Sequence, residues 1–265
     1  TAGGTLKVLD DVKGLGAQTI TQTFTLDLNG HTLASATTKF ITLNTAGKTL
    51  TIDDSKGEGK IEMIANLDGE AYAVFINNGT VVLNNGTIHG ENVHATAADA
   101  RKGIGVRVET ANGKFVMNGG RVEGQSKQIG TGIYAVGPVE VYGGEISGTA
   151  RTTKARAIYT KAATLIVKNA YLEATTTAGG STYGIYSDTG TPVFTVDNVT
   201  INATSATTDA YGINLYSGNA ATISNVKIKA TTAPIDADAT SAKVSITSGF
   251  FDKETIWLSI SARRR

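Results

Sequence analysis

The 265-residue sequence contains no cysteine, which excludes a disulfide framework and any thiolate nucleophile or thiolate metal site. That absence does not fix the compartment. Proline (3), methionine (2) and tryptophan (1) are scarce. No run of 18 apolar residues occurs, so a membrane-spanning helix is not expected. An excess of charge of one sign is also missing. The 24 basic and 23 acidic residues leave a formal net charge of +1, too little to steer the chain toward nucleic acid or a membrane surface. No basic-apolar-small leader stands at Thr1, and the expectation is a cytosolic or already processed chain. The closing Arg263-Arg264-Arg265 is assigned no role.

Glycine is abundant, at 31 residues, and threonine and asparagine are frequent. The mixture favours strands and turns over helices. Three short runs recur along the chain. Run a is a small residue, a β-branched residue, then an aromatic or polar one: Ala73-Val74-Phe75, Gly105-Val106-Arg107, Gly132-Ile133-Tyr134, Ala157-Ile158-Tyr159, Gly184-Ile185-Tyr186 and Gly212-Ile213-Asn214. Run b sets apolar residues two apart, as in Val139/Val141 and Leu165/Val167. Run c adds one more, five further on, as in Ile146 and Leu172. Anchored on Gly86, Gly120, Gly144, Ala170, Val199, Val226 and Gly249, the repeats are 34, 24, 26, 29, 27 and 23 residues long. Such periods mark a solenoid. Period-2 alternation without a 3.6-residue stripe makes its elements strands.

The expected fold is all-β: a single-stranded right-handed parallel β-helix of about nine turns with three short strands each, its hand taken from the rule for parallel crossovers. One domain covers 1–265, with an N-terminal cap at 1–23, repeats over 24–252 and a C-terminal cap or tail at 253–265. Asn169, Asn198 and Asn225, at the b-to-c turn of consecutive repeats, read as a hydrogen-bonded ladder.

The repeat, for example Val81-Val82-Leu83-Asn84-Asn85-Gly86-Thr87-Ile88-His89-Gly90, resembles that of pectate-lyase-like parallel β-helices. The opening Leu26-Asp27-Leu28-Asn29-Gly30-His31-Thr32-Leu33 is similar to the first turn of such repeats in bacterial cell-surface proteins. The resemblance implies the fold over nearly the whole chain, but that superfamily spans lyases, glycosidases, tailspikes and adhesins. Its lyases use clustered carboxylates for calcium with a basic residue. Its polygalacturonase-like members use several aspartates and a histidine on one face. Here His31, His89 and His94 are the only histidines, and no acid pairs with His89 and His94 in sequence. Asp53-Asp54 and Asp236/Asp238 are the best acid pairs, and Asp53 and Asp54, beside Ser55 and Gly57, read as turn-forming residues. The sequence therefore assigns no catalytic residue, metal or cofactor.

The strongest functional signal is the outward row of run a: Phe75, Arg107, Tyr134, Tyr159, Tyr186 and Asn214. Strict alternation would also turn Ala73, Gly105, Gly132, Ala157, Gly184 and Gly212 outward, as a shallow track beside rings free to stack on sugars or partner side chains. The longest loops, 91–102, 149–153, 174–181, 203–209 and 230–240, fall between runs c and a, along the same edge. The leading expectation is a non-catalytic extracellular β-helix module of a bacterial surface protein, adhesin-like, binding a glycan or a surface protein through this row. The alternatives are a polysaccharide lyase or glycosidase, and a subunit that self-associates.

Overall fold

The computed structural model describes residues 3–94, 101–161, 164–188, 193–207, 209–215, 220–237, 243–252 and 257–258. The chain winds into a right-handed parallel β-solenoid of roughly eight turns, and at about 4.8 Å per turn the stack is about 40 Å long. The three runs become three faces. Face a includes Lys102–Val108, Ile129–Ala135, Lys154–Thr160, Ser181–Ser187 and Ala210–Leu215. Face b includes Gly113–Met117, Val139–Val141, Thr164–Lys168 and Val193–Asp197, and face c includes Thr87–Asn92, Arg121–Ser126, Gly144–Ala150 and Ala170–Thr176. In two early laps faces a and b merge in the long strands Lys39–Asp53 and Glu70–Leu83. The two faces thereby join as one 18-stranded sheet, against a 10-stranded sheet for face c.

Equivalent residues of successive laps lie directly over one another. Ile133 pairs with Ile158 and Ile158 with Ile185, while Val139, Leu165 and Phe194 pair in turn on face b. Ile133, Ile158 and Ile185 are fully buried, as are Leu165, Val167 and Leu172. Each such side chain contributes on the order of 1.5–3 kcal/mol before entropy is subtracted.

The corner between faces b and c takes a left-handed backbone in six successive laps. Gly86, Gly120 and Gly144 supply it in the earlier laps, and Asn169, Asn198 and Asn225 in the later ones, each near φ +50°. Asparagine tolerates that region because its short amide bonds locally. The expected ladder holds for one rung: Asn198 Nδ2 donates to Asn169 Oδ1 at 2.8 Å. Asn225 Nδ2 donates instead to Asp197 Oδ1 at 2.9 Å, because that carboxylate also lines the corner and is the stronger acceptor.

Residues 5–20 add short strands to the same sheets: Thr5–Lys7 pairs with Phe24–Asp27, Val12–Leu15 with Thr32–Ser35, and Gln18–Ile20 with the start of Lys39–Asp53. They close the first lap incompletely. Leu9 is 80% exposed, and a cavity of about 540 Å³ opens between this lap and Phe24, Phe40 and Leu50. At the other end Trp257–Leu258 pairs with Ala233–Ala237; the rest of 253–265 lies outside the described residues.

Candidate functional site

Face a carries two outward rows, and the run a motif revealed only one. The pairing skips Gly105, Gly132, Ala157, Gly184 and Gly212, where the strand bends in every lap. At this bend the small residue and the following aliphatic residue both turn inward. A Cβ on Gly184 or Gly212 would lie 2.2 Å from Cγ2 of Ile201 or Ile228, core residues of face c, and Ala73 and Ala157 are fully buried. The expected outward track of small residues is therefore absent: two consecutive inward positions break the period-2 pattern, and glycine or alanine is required because faces a and c approach closely there.

The second outward row stands three residues before the first. Lys39, Tyr72, Ile104, Thr131, Arg156, Tyr183 and Tyr211 follow one another in register. Beside them run Thr42, Phe75, Arg107, Tyr134, Tyr159, Tyr186, Asn214 and Asp236. All six residues expected to form the ligand-binding row lie in this one strip. The missed row has a signal in sequence: Tyr72/Phe75 and Tyr183/Tyr186 are three apart, a spacing that alternation alone does not produce.

The rings of the strip pack on each other. Tyr134 and Tyr159 are tilted with centroids 4.5 Å apart, while Tyr159–Tyr186 and Tyr183–Tyr211 are stacked at 5.4 and 5.5 Å. Tyr183 meets Tyr186 edge-on at 4.8 Å. Cations take further ring faces: Lys39 lies 3.7 Å from the Phe75 centroid, Arg107 3.9 Å from Tyr134, and Arg156 4.7 Å from Tyr159. The ring faces expected to be free are thus largely occupied. Phe75, Tyr159 and Asn214 are buried, and Tyr134, Tyr183, Tyr186 and Tyr211 half-buried.

Charge is distributed unevenly along the strip. Toward the N-terminal laps Arg107 pairs with Glu109 and, at 3.4 Å, with Glu70, which also pairs with Lys102 and accepts from the Tyr72 hydroxyl. Burial alone would lower the Arg107 pKa, but the hydrogen bond to Glu109 and the surrounding negative charge leave it raised. Further along, Asp188 accepts from the Tyr159 hydroxyl at 2.6 Å and from Lys161 at 2.9 Å. Burial raises its pKa, and these two bonds with the charges of Lys161 and Arg156 pull it below the usual range. Burial and Asp209 push the Tyr211 hydroxyl up to about 12.

The other candidate acids have partners. Asp54 accepts from the amides of Gly30 and Gly59, both at 2.6 Å, so it fixes the turn it stands in, and Asp53 accepts from the Asp54 amide. Asp236 accepts from Asn214 at 2.6 Å; Asp238 lies outside the described residues. His89 does have acids beside it, contrary to the sequence reading. Its Nδ1 lies 2.9 Å from Glu123, one lap on and hidden by sequence distance, and its Nε2 3.5 Å from Glu91, two residues along the same strand and on the same side. Next to this group a cleft of about 140 Å³ is lined by Arg121, Glu123, Glu145, Tyr171 and Glu173. Among the described residues no three of His, Asp or Glu are grouped to hold a metal ion, and no helix is long and apolar enough to cross a membrane.

Compared with family models, curated proteins and solved structures, the chain matches none, so its assignment as a right-handed parallel β-solenoid rests on its own geometry and no homology ties it to the pectate-lyase family.

Proposed function

We propose that the chain is a non-catalytic, adhesin-like module of an extracellular bacterial surface protein, and that the strip of face a binds a protein partner. The observation that carries this reading is the density of tyrosine and arginine in two interlocked rows on a rigid sheet. These residue types dominate the energetics of protein interfaces, because they bury large area at small entropic cost. Saccharide recognition by aromatic residues needs open ring faces, and here neighbouring rings and guanidinium groups cover many of them. That favours a protein over a glycan.

The test is selection from a displayed peptide library with the intact chain as bait and the Tyr134→Ala/Tyr183→Ala/Tyr186→Ala variant as counter-bait. Sequences retained by the first and lost on the second support the reading. Selection that ignores the strip, or glycan-array binding with no peptide binding, contradicts it.

A second reading, a polysaccharide lyase or glycosidase, is favoured by the face c cleft, where Glu123, Glu145 and Glu173 gather beside Arg121. Arg121 already pairs with Glu145 and His89 with Glu123, which leaves Glu173 as the carboxylate without such a tie. Turnover of acidic polysaccharide, abolished by Glu173→Gln, would establish this activity.

A further inference from the structure

Arg156 is 9% exposed, and among the described residues no carboxylate, carbonyl or hydroxyl accepts a hydrogen bond from it. The guanidinium packs instead on the rings of Tyr159 and Tyr186, whose centroids lie 4.7 and 5.4 Å from its carbon. Thr131 stands directly across the strand pair, fully buried, and its hydroxyl is likewise without a partner. Lys154, two residues before Arg156 on the same strand and the same outward side, makes no ion pair with a described residue. Burial holds the Arg156 pKa below the usual arginine value, and the four surrounding tyrosines offset this only in part.

Asp188 acts on Arg156 only through longer-range charge, without an ion pair or hydrogen bond. A buried cation with no acceptor in contact is costly to a fold, since such groups are normally paired or hydrogen-bonded. Other cations in and beside the strip follow that rule, since Arg107 and Lys102 share Glu70, and Lys161 holds Asp188. The missing acceptor at Arg156 is a planar fork that two carboxylate oxygens match, and Lys154 adds positive charge at its margin.

We propose that Arg156 is the anchor of the face a surface, and that it receives a carboxylate side chain from an acidic peptide segment of the partner. This rests on the binding role proposed for face a and names the chemistry recognised there. The tyrosine rings desolvate the guanidinium and hold its plane, Thr131 is its partner in register on the preceding lap, and Lys154 attracts further negative charge. A peptide fits better than an acidic saccharide for the reason already given: the rings flanking Arg156 stack on one another and on the guanidinium.

The experiment is calorimetric titration of the intact chain with a capped octapeptide of alternating glutamate and serine. Its glutamine counterpart and a tetrasaccharide of uronic acid are titrated in parallel. The expected result is binding of the glutamate peptide at least tenfold tighter than the glutamine peptide or the saccharide. Arg156→Met should abolish it. Arg156→Lys, which keeps the charge but not the fork, should weaken it several-fold, and Lys229→Met, an exposed cation on face c, should leave it within twofold. Circular dichroism confirms that each variant is folded. Equal binding by Arg156→Met, equal binding of the two peptides, preference for the saccharide, or no binding of any probe would each overturn the inference. If peptides selected on the intact chain still depend on the three tyrosines but not on Arg156, the inference fails and the binding role of face a stands.

Discussion

Arg107 and Arg156 occupy the same strip, two laps apart, and both stack on tyrosines, yet their electrostatic surroundings are opposite. Arg107 is enclosed by Glu70 and Glu109, and its charge is favoured. Arg156 is more deeply buried, no described carboxylate pairs or hydrogen-bonds with it, Asp188 reaches it only through longer-range charge, and its own charge is disfavoured. The first arrangement is that of a self-satisfied structural cluster. In the second, local stability is sacrificed, which is the usual mark of a site completed by something else. The shared architecture around them makes the contrast informative, since both flank the same strand bend, in adjacent rows, over fully buried aliphatic residues.

The largest expected effect is a control on that sameness. Val106→Ala and Ile158→Ala, beneath the two arginines, should each lower unfolding stability by about 2–4 kcal/mol in chemical denaturation. A large disparity between them would mean that the two regions differ in packing and not only in charge. Next, Arg107→Met should destabilise by about 2 kcal/mol, because it strands partly buried carboxylates. Arg156→Met should stabilise by about 1 kcal/mol, because it removes an unpaired buried cation. Opposite signs are the signature, and equal losses would break the comparison. Thr131→Asp should supply Arg156 with an internal partner, raising the thermal midpoint by a few degrees while lowering affinity for acidic peptide.

The smallest effect concerns pH. Glu70 and Asp188, one in each region, have pKa values below their ordinary ones. In each case burial works upward and the hydrogen bonds and cations around it work more strongly downward. A depressed carboxylate contributes stability that is present above its unfolded pKa and lost as pH falls through the folded value. Stability should therefore decline below about pH 4, and less steeply in Glu70→Gln and Asp188→Asn than in the parent chain.

The solenoid was legible because inward residues repeat with the lap: the positions of Ile133, Ile158 and Ile185 follow from alternation and spacing alone. Half of the strip was legible for the same reason. The other half was not, because the bend at Gly132 and its equivalents places two consecutive residues inward and moves the second outward row to Thr131, Arg156 and Tyr183. Only the close approach of faces a and c imposes that bend, and its one local trace is the three-residue spacing of Tyr72/Phe75 and Tyr183/Tyr186, which alternation does not predict. The pairing of His89 with Glu123 was hidden for a related reason, since neighbours one lap apart are tens of residues apart in sequence. The turn asparagines were legible as corner residues, whereas Asp197 displaced Asn198 as the acceptor for Asn225 through side-chain geometry at that corner.

The difference between the two arginines is open to one direct observation. In the chain labelled with nitrogen-15, the side-chain Nε–H signals of Arg107 and Arg156 are followed while the glutamate peptide is added. A saturable shift of the Arg156 signal with the Arg107 signal unmoved is the expected result. An unmoved Arg156 signal, or equal shifts of both, would contradict the assignment of Arg156 as the group that waits for a partner's carboxylate.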